Sequence, residues 1–168
     1  MSKYAGEVNP WGGAVKDKWI IFDTNSIISI VKLEQRQVLD DLKSQAAGFA
    51  VIHPVQIELQ NTNNPRERVA MRNLLAHYDF IELPLKSAHF KVADKIQELL
   101  PLSANASPAD LYLGAVLSDH HDDRLVLTAN IKDFPTPLYP RVGHVLLQSN
   151  SSVMTLTLVS IDKTLLSN

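Results

Sequence analysis

Short apolar runs alternate with longer amphipathic segments through most of the chain. Apolar runs at 18–23, 49–53, 79–83 and 124–128 have the length and composition of buried strands. Segments with helical spacing lie between them. Because this alternation is typical of parallel strands covered by helices, the pattern predicts an α/β fold built on a mostly parallel sheet.

Proline, glycine and capping residues set the predicted helix boundaries. Pro54 and Pro108 stand where proline suits the first turn of a helix, and Ser107 is suited to cap the helix that Pro108 begins. Gly48 is predicted to end the second helix. The predicted helices are 25–33, 36–47, a segment from Pro54, 65–77, 86–99 and a segment from Pro108 to about 118.

The pattern changes beyond residue 135. Two further strands are predicted at 145–148 and 153–161, separated by a polar loop, and together they form a C-terminal β-hairpin. No repeat or low-complexity tract divides the chain. We therefore predict one domain over 1–168, made of a lead-in at 1–17, a core at 18–135 and a C-terminal extension at 136–168.

Composition narrows the class of protein. The 168 residues suffice for one hydrophobic core, and the lack of cysteine excludes disulfides and thiolate zinc sites. No apolar stretch approaches the roughly 20 residues of a membrane helix, and the start lacks a secretory signal, so we expect a cytoplasmic protein without membrane contact. With a formal net charge of −2, nucleic-acid binding would depend on local basic groups and bound cations.

Three acidic residues stand in apolar surroundings. Asp23 comes directly after the apolar run WIIF, at the end of the predicted strand 18–23. Open α/β sheets place their chemistry at this end of a strand, although Asp23 could merely cap the next helix. Glu58 borders the core-facing side of a predicted helix, with a solvated edge as the alternative. Asp110 begins a helix that is apolar nearly all round; either the helix dipole favours it there, or it is paired or bound to metal. If the three converge, they form a cation site.

The turn after the strand 124–128 adds polar candidates. Asn130 could bind a metal or hold a water, and Asp133 could do the same or cap the following turn. Lys132 is well placed to hold a phosphate, although an exposed lysine beside a turn needs no function. This turn therefore predicts further site residues at the end of a strand.

Motifs of several other enzyme classes are missing. The sequence has no GxxxxGK[ST] loop, GxGxxG turn, GxSxG elbow or HExxH helix, which argues against nucleotide-driven, dinucleotide, serine-hydrolase and zinc-protease chemistry. A phosphatase with Asp23 as nucleophile stays open, although that chemistry favours a second acid where the chain has Asn25. We interpret 120–123 as a polar loop and His53 as a half-buried histidine.

Four stretches together resemble the PIN-domain ribonucleases, a family that includes the VapC-type toxins of bacterial toxin–antitoxin pairs. In chain order they are FDTNSII, VIHPVQIEL, SPADLYLGAVL and LVLTANIKDF. The resemblance implies a three-layer α/β/α sandwich with a central, mostly parallel, twisted sheet. It also implies a metal-dependent endoribonuclease that cleaves RNA phosphodiester bonds with Mg²⁺ or Mn²⁺.

The resemblance implies roles for individual residues. Asp23, Glu58 and Asp110 are the expected catalytic acids and metal ligands, with a further ligand at Asp133 or Asn130. Many family members carry an acid where this chain has Asn130, so the fourth ligand stays open. Residues expected to support the ligands by hydrogen bonds are Thr24, Asn25, Thr128 and Asn130.

The substrate and partners are predicted less directly. Candidates for binding the RNA phosphates are Arg66, Arg68, Arg72 and Lys132, unless the three arginines only form a solvated helix face. The family suggests a homodimer and a small antitoxin, which no residue indicates by itself. The alternative function is a non-catalytic module that binds RNA or a partner on the same scaffold.

Overall fold

The computed structural model describes residues 11–167; residue 168 and the first ten residues of the predicted lead-in lie outside the described part. The strands are β1 Trp19–Phe22, β2 Gly48–Ile52, β3 Ile81–Leu83, β4 Arg124–Thr128, β5 Arg141–Gln148 and β6 Val153–Val159. The α-helices are α1 Thr24–Lys32, α2 Arg36–Lys43, α3 His53–Gln60, α4 Pro65–His77, α5 Ser87–Leu99 and α6 Pro108–Asp119. Short 3₁₀ helices follow at Ile131–Asp133 and Lys163–Leu166. Each helix within 11–167 is too short or too polar to cross a membrane.

The six strands form one mixed sheet in the order β3-β2-β1-β4-β6-β5. The first four are parallel, whereas β6 runs antiparallel to β4 and β5 antiparallel to β6. The prediction of an α/β fold with a mostly parallel sheet is confirmed. The predicted C-terminal hairpin is also present, and it extends the main sheet through β6.

The order of the parallel strands determines where the helices lie. The chain adds β2 and β3 on one side of β1 and then returns to add β4 on the other side. Because crossover connections are right-handed, this reversal sends the later helices to the opposite face of the sheet. In agreement, α1 packs with α3 and α4, whereas α5 packs with α6. The arrangement is compatible with a three-layer sandwich.

The central strands are buried because helices cover both faces of a parallel sheet. Ile20, Ile21 and Phe22 of β1 have no exposed surface, and every residue of β2 is buried. Pairing of Phe22 with Leu127 sets the register of β1 against β4. As a result, the residues that follow this pair, Asp23 and Thr128, lie side by side.

The second helix ends earlier than predicted. It stops at Lys43 instead of residue 47, because the following chain turns to pair with the start of β1: the Ala47 amide donates to the Lys18 carbonyl over 2.9 Å. Gly48 opens β2 and does not end the helix. A Cβ at this position would lie 2.5 Å from the Trp19 ring, so any side chain there would force that ring to move.

Three strand boundaries also differ from the predictions by two residues or more. The third strand begins at Ile81 instead of residue 79, since Asp79 has a positive φ of 52° that ends the preceding helix. The fifth strand begins four residues early, at Arg141. Its alternate residues are exposed at the sheet edge, so its polar positions hid its length in the sequence. The sixth strand ends at Val159 instead of residue 161.

Candidate functional site

A polar cleft opens at the carboxyl ends of β1 and β4. The chain reverses its direction across the sheet between these two strands, and such switch points leave a crevice in open α/β sheets. The cleft has a volume of about 290 Å³. We name it the acid cleft, and its polar lining residues are Asp23, Thr24, Asn25, Glu58, Asn105, Ser107, Asp110, Asn130 and Asp133.

The three acids of the sequence analysis therefore meet in one place. Asp23 comes from the end of β1, Glu58 from α3 and Asp110 from the first turn of α6, and Asp133 joins them from the 3₁₀ turn after β4. Of the described residues that line the acid cleft, four are acidic and none is basic. A cleft of this kind attracts cations.

Asp23 is held by hydrogen bonds on both carboxylate oxygens. Its Oδ1 accepts from the Ser26 amide over 2.7 Å, which makes Asp23 the N-cap of α1. Its Oδ2 accepts from Thr128 Oγ1 over 2.5 Å, and the Asn130 amide donates to that same hydroxyl over 2.9 Å. Asp23 therefore caps α1 and also lines the acid cleft.

Asp23 is also the most buried acid of the cleft, with 4% of its surface exposed. Burial raises its pKa from 3.8 to about 6, against the opposing hydrogen bonds from Thr128 and Ser26. The negative charge of Asp110 raises the pKa further. In the absence of a cation, this carboxylate is costly to ionise.

Asp110 is placed by the start of its helix. Its Oδ2 accepts from both the amide and the hydroxyl of Ser107 over 2.8 Å, and the Ser107 hydroxyl in turn accepts from the Asp110 amide over 3.2 Å. This reciprocal capping fixes the Asp110 side chain at the N-terminus of α6. Behind it α6 is buried over most of its length, as predicted.

Glu58 and Asp133 complete the acidic lining. Glu58 is exposed, and its Oε2 accepts a hydrogen bond from Thr24 Oγ1. Asp133 accepts from the Asn130 amide group over 2.5 Å. Burial, and then the charge of Asp110, raise the pKa of Asp133. Each acid is thus bound to a neutral donor.

The donor set suits a hard divalent cation. Carboxylate and amide oxygens are the ligands that Mg²⁺ and Mn²⁺ prefer. Within residues 11–167, however, no three His, Asp or Glu side chains lie close enough to form a ready-made metal site. Carboxylates without a cation repel one another, and Mg²⁺ usually keeps several waters, so direct contact with every acid is not required.

The predicted RNA-binding residues do not line the acid cleft. Lys132 is exposed and does not line it, and neither do the three arginines of α4. Arg68 and Arg72 line a different cavity, between α3 and α4, whereas Arg66 lines neither. These side chains therefore add no positive charge to the lining of the acid cleft.

Two histidine predictions have different outcomes. His53 was expected to be half buried, which is wrong: it is exposed at the start of α3, and its Nδ1 lies 3.2 Å from Glu82 Oε1. Proline at the next position places it in the first turn of the helix, directed away from the core. The run 120–123 is a turn before β4, as predicted.

Sequence reasoning missed two residues of the cleft. Ser107 was recognised as a cap, but not as the donor that holds the Asp110 carboxylate. Asn105 lies in the loop before α6, and no periodicity or motif marks it. The short spacing between Ser107 and Asp110, typical of a capping box, was the available signal for the first of them.

Neither the known protein-family models nor the curated proteins give a match to the chain.

Proposed function

We propose that this protein is a divalent-metal-dependent endoribonuclease with a PIN-like fold, which cleaves RNA phosphodiester bonds. The observation that supports the proposal most is the convergence of four carboxylates, from four separate elements, at the switch point of the sheet. A purely structural role would not require so many unneutralised acids in one cleft, because each raises the cost of ionising the next.

The assigned roles follow from burial and position. Asp23 and Asp110 are the principal metal ligands, because they are the two acids fixed by capping at the strand end and the helix start. Glu58 is a ligand or the group that orients the attacking water, since it is the most accessible of the acids. Asp133 is the further ligand, with Asn130 holding it.

The chain itself contributes orientation and charge. When bound, Mg²⁺ or Mn²⁺ would supply the positive charge that activates water and stabilises the leaving oxygen. Thr128 and Ser26 hold Asp23, while Ser107 holds Asp110. Such supporting hydrogen bonds keep carboxylates in the geometry that a metal requires. Thr24 donates to Glu58 from the first turn of α1, and Asn25 lines the cleft beside it.

Substrate and partners belong to the same proposal. The four matching sequence stretches suggest RNA as substrate, and the family includes toxins that act as homodimers with a small antitoxin. We therefore propose these partners for this chain as well. A non-catalytic module that binds RNA or a partner is the second candidate, because Asn130 stands where many PIN domains have an acid. In addition, the side-chain amide of Asn130 donates a hydrogen bond to Asp133.

Replacement of Asp110 by Asn tests the proposal. In the wild type, Mg²⁺ or Mn²⁺ should raise the stability to thermal unfolding, by about 2.7 kcal/mol at 100 times the dissociation constant. The Asp110→Asn variant should lose this stabilisation. It should also lose RNA cleavage by more than about 100-fold, since even residues that only support a ligand contribute about 10–100-fold.

The matched control is Asp122→Asn. Asp122 is exposed in the turn before β4, at the opposite end of the strand from the acid cleft, so the same chemical change should leave both measurements unaffected. Cleavage and metal-dependent stabilisation that persist in Asp110→Asn would reject the assignment. RNA binding that is insensitive to EDTA, with no cleavage by the wild type, would favour the second candidate.

A further inference from the structure

A second cavity lies between α3 and α4, with a volume of about 280 Å³. We name it the α3–α4 cavity. Its lining combines apolar, amide and guanidinium groups: Leu59, Met71 and Leu75, Gln56 and Gln60, and Arg68 and Arg72. The volume lies just below the usual range for ligand pockets, roughly 300–1,000 Å³, so it suits one nucleotide and not a duplex.

The floor of the cavity is apolar and the rim is polar. Leu59 and Met71 are 4% and 2% exposed, so they belong to the core as well as to the cavity wall. Arg68 stands at the rim, where one guanidinium N–H donates to the Thr62 carbonyl over 2.7 Å. That contact fixes the side chain and leaves most of its five N–H donors for a ligand. Arg72 lies one turn further along α4 and is exposed.

The charge of the cavity is positive. No acidic residue lines it, and among residues 11–167 neither Arg68 nor Arg72 has a carboxylate within ion-pair distance. Two neighbouring guanidinium groups without a counter-charge favour an anion, and their planar donors match the oxygens of phosphate. An apolar floor beneath them suits a flat ring.

Helix α3 separates the α3–α4 cavity from the acid cleft. Glu58 lines the cleft, whereas the adjacent Leu59 and Gln60 line the cavity. The two sites therefore occupy two sides of one short helix, and a helix with its side chains is only about 10–12 Å wide. A single strand that passes over this helix would reach both sites within a few nucleotides.

We propose that the α3–α4 cavity binds a nucleotide of the same RNA strand that is cut in the acid cleft. Arg68 and Arg72 bind its phosphate, the base lies against Met71 and Leu75, and the amide of Gln56 or Gln60 bonds the base edge. This inference rests on the proposed ribonuclease function and adds a site for single-stranded substrate a few nucleotides from the cut.

The experiment measures binding without cleavage. Fluorescence anisotropy is recorded with single-stranded oligoribonucleotides of three and of ten nucleotides, on the Asp110→Asn variant. Addition of Arg72→Gln should weaken binding of the longer oligonucleotide about tenfold and lower its salt slope by about 0.7, as expected for one lost phosphate contact on a single strand. The trinucleotide should bind more weakly than the longer oligonucleotide with or without Arg72→Gln, because it spans the two sites poorly.

Further variants separate charge from folding. Arg68→Gln should act in the same direction, and Arg72→Glu should weaken binding more than Arg72→Gln. Arg141→Gln is the matched control, because Arg141 is exposed at the start of β5 and lines neither site. Unfolding curves of all variants confirm that the fold is kept. Equal affinities and salt slopes in Arg72→Gln and Arg141→Gln would overturn the proposal.

Further measurements identify the class of anion that binds in the α3–α4 cavity. A nucleoside monophosphate should compete weakly and depend on Arg72, which supports the nucleotide site. Arginine-dependent binding of polyglutamate without binding of RNA would overturn the proposal in favour of an acidic protein partner. If the wild type cuts no RNA with Mg²⁺ or Mn²⁺ while arginine-dependent RNA binding persists, the ribonuclease function fails and the nucleotide site remains.

Discussion

Asp23 is the residue where folding and the proposed chemistry conflict most directly. Its carboxylate is buried, and its hydrogen-bond donors, Thr128 and Ser26, are neutral. Burial therefore raises its pKa to about 6, so that at neutral pH the chain must keep a charge in an unfavourable position. A bound cation would offset this cost. Functional sites often accept such a loss of stability.

The raised pKa of Asp23 predicts an unusual pH dependence of stability. Between about pH 4 and pH 6, Asp23 of the folded, metal-free protein keeps a proton that the same residue has released in the unfolded chain. The free energy of unfolding should therefore fall as the pH rises. Asp23→Asn removes this loss and still offers an acceptor to cap α1. In EDTA at pH 7.5, this variant should be more stable than the wild type, on the order of 2 kcal/mol.

Urea unfolding between pH 4 and pH 8 measures this effect. The advantage of Asp23→Asn should vanish near pH 4, where the wild-type carboxyl is protonated, and Asp122→Asn should track the wild type throughout. A variant that is less stable than the wild type at every pH would contradict the account, because it would mean that the ionised carboxylate stabilises the fold.

At the scale of elements, α6 carries Asp110 at one end and is anchored at the other. The buried His89 of α5 makes this anchor: its Nδ1 accepts from the Lys86 amide over 2.9 Å. Its Nε2 is therefore the protonated nitrogen, and it donates to Asp119 Oδ2 over 2.7 Å. The contact ties the end of α6 to the start of α5, which restrains the helix that presents Asp110.

Replacement of His89 by Ala should destabilise the protein. The Lys86 amide loses its acceptor, and Asp119 loses the closer of its two side-chain donors, since Lys86 Nζ also lies 3.4 Å from its Oδ2. We therefore expect a loss of about 1–3 kcal/mol in the free energy of unfolding by urea. His144→Ala is the control, because His144 is exposed on β5. If both variants unfold at the same urea concentration as the wild type, the histidine does not anchor α6.

The elements also show what could be predicted from the sequence. Strands β1 and β4 were predicted closely because they are continuous apolar runs. The end of α2 could not be, because residues 44–47 suit a helix and only pairing beside β1 removes them from it. Likewise, the start of β5 was hidden by Arg141 and His144 on its exposed face.

The site was predictable to the same degree as the elements that carry it. Asp23 and Asp110 follow from a strand end and a helix start, so local pattern located them. The separation of Arg68 and Arg72 from the acid cleft depends on how α4 packs beside α3, which is a tertiary contact that no local pattern contains. Asn105 lies in an irregular loop and was missed for the same reason.

At the scale of the whole molecule, two concave sites of opposite charge lie on either side of α3. The acid cleft contains four carboxylates at the switch point of the sheet, and the α3–α4 cavity contains two guanidinium groups. A formal net charge of −2 conceals this separation. With the proposed metal and scissile phosphate in the acid cleft and the flanking substrate in the α3–α4 cavity, a single strand would cross α3.

The central claim is that the acid cleft binds a divalent cation, and paramagnetic broadening by Mn²⁺ tests it most directly. In NMR spectra of the isotope-labelled wild type, substoichiometric Mn²⁺ should broaden the amide signals of Asp23, Glu58, Asp110 and Asp133. The signals of the turn at 120–123, at the opposite end of β4 from the acid cleft, should be broadened least. Selective broadening near His121, or no selective broadening at all, would contradict the account.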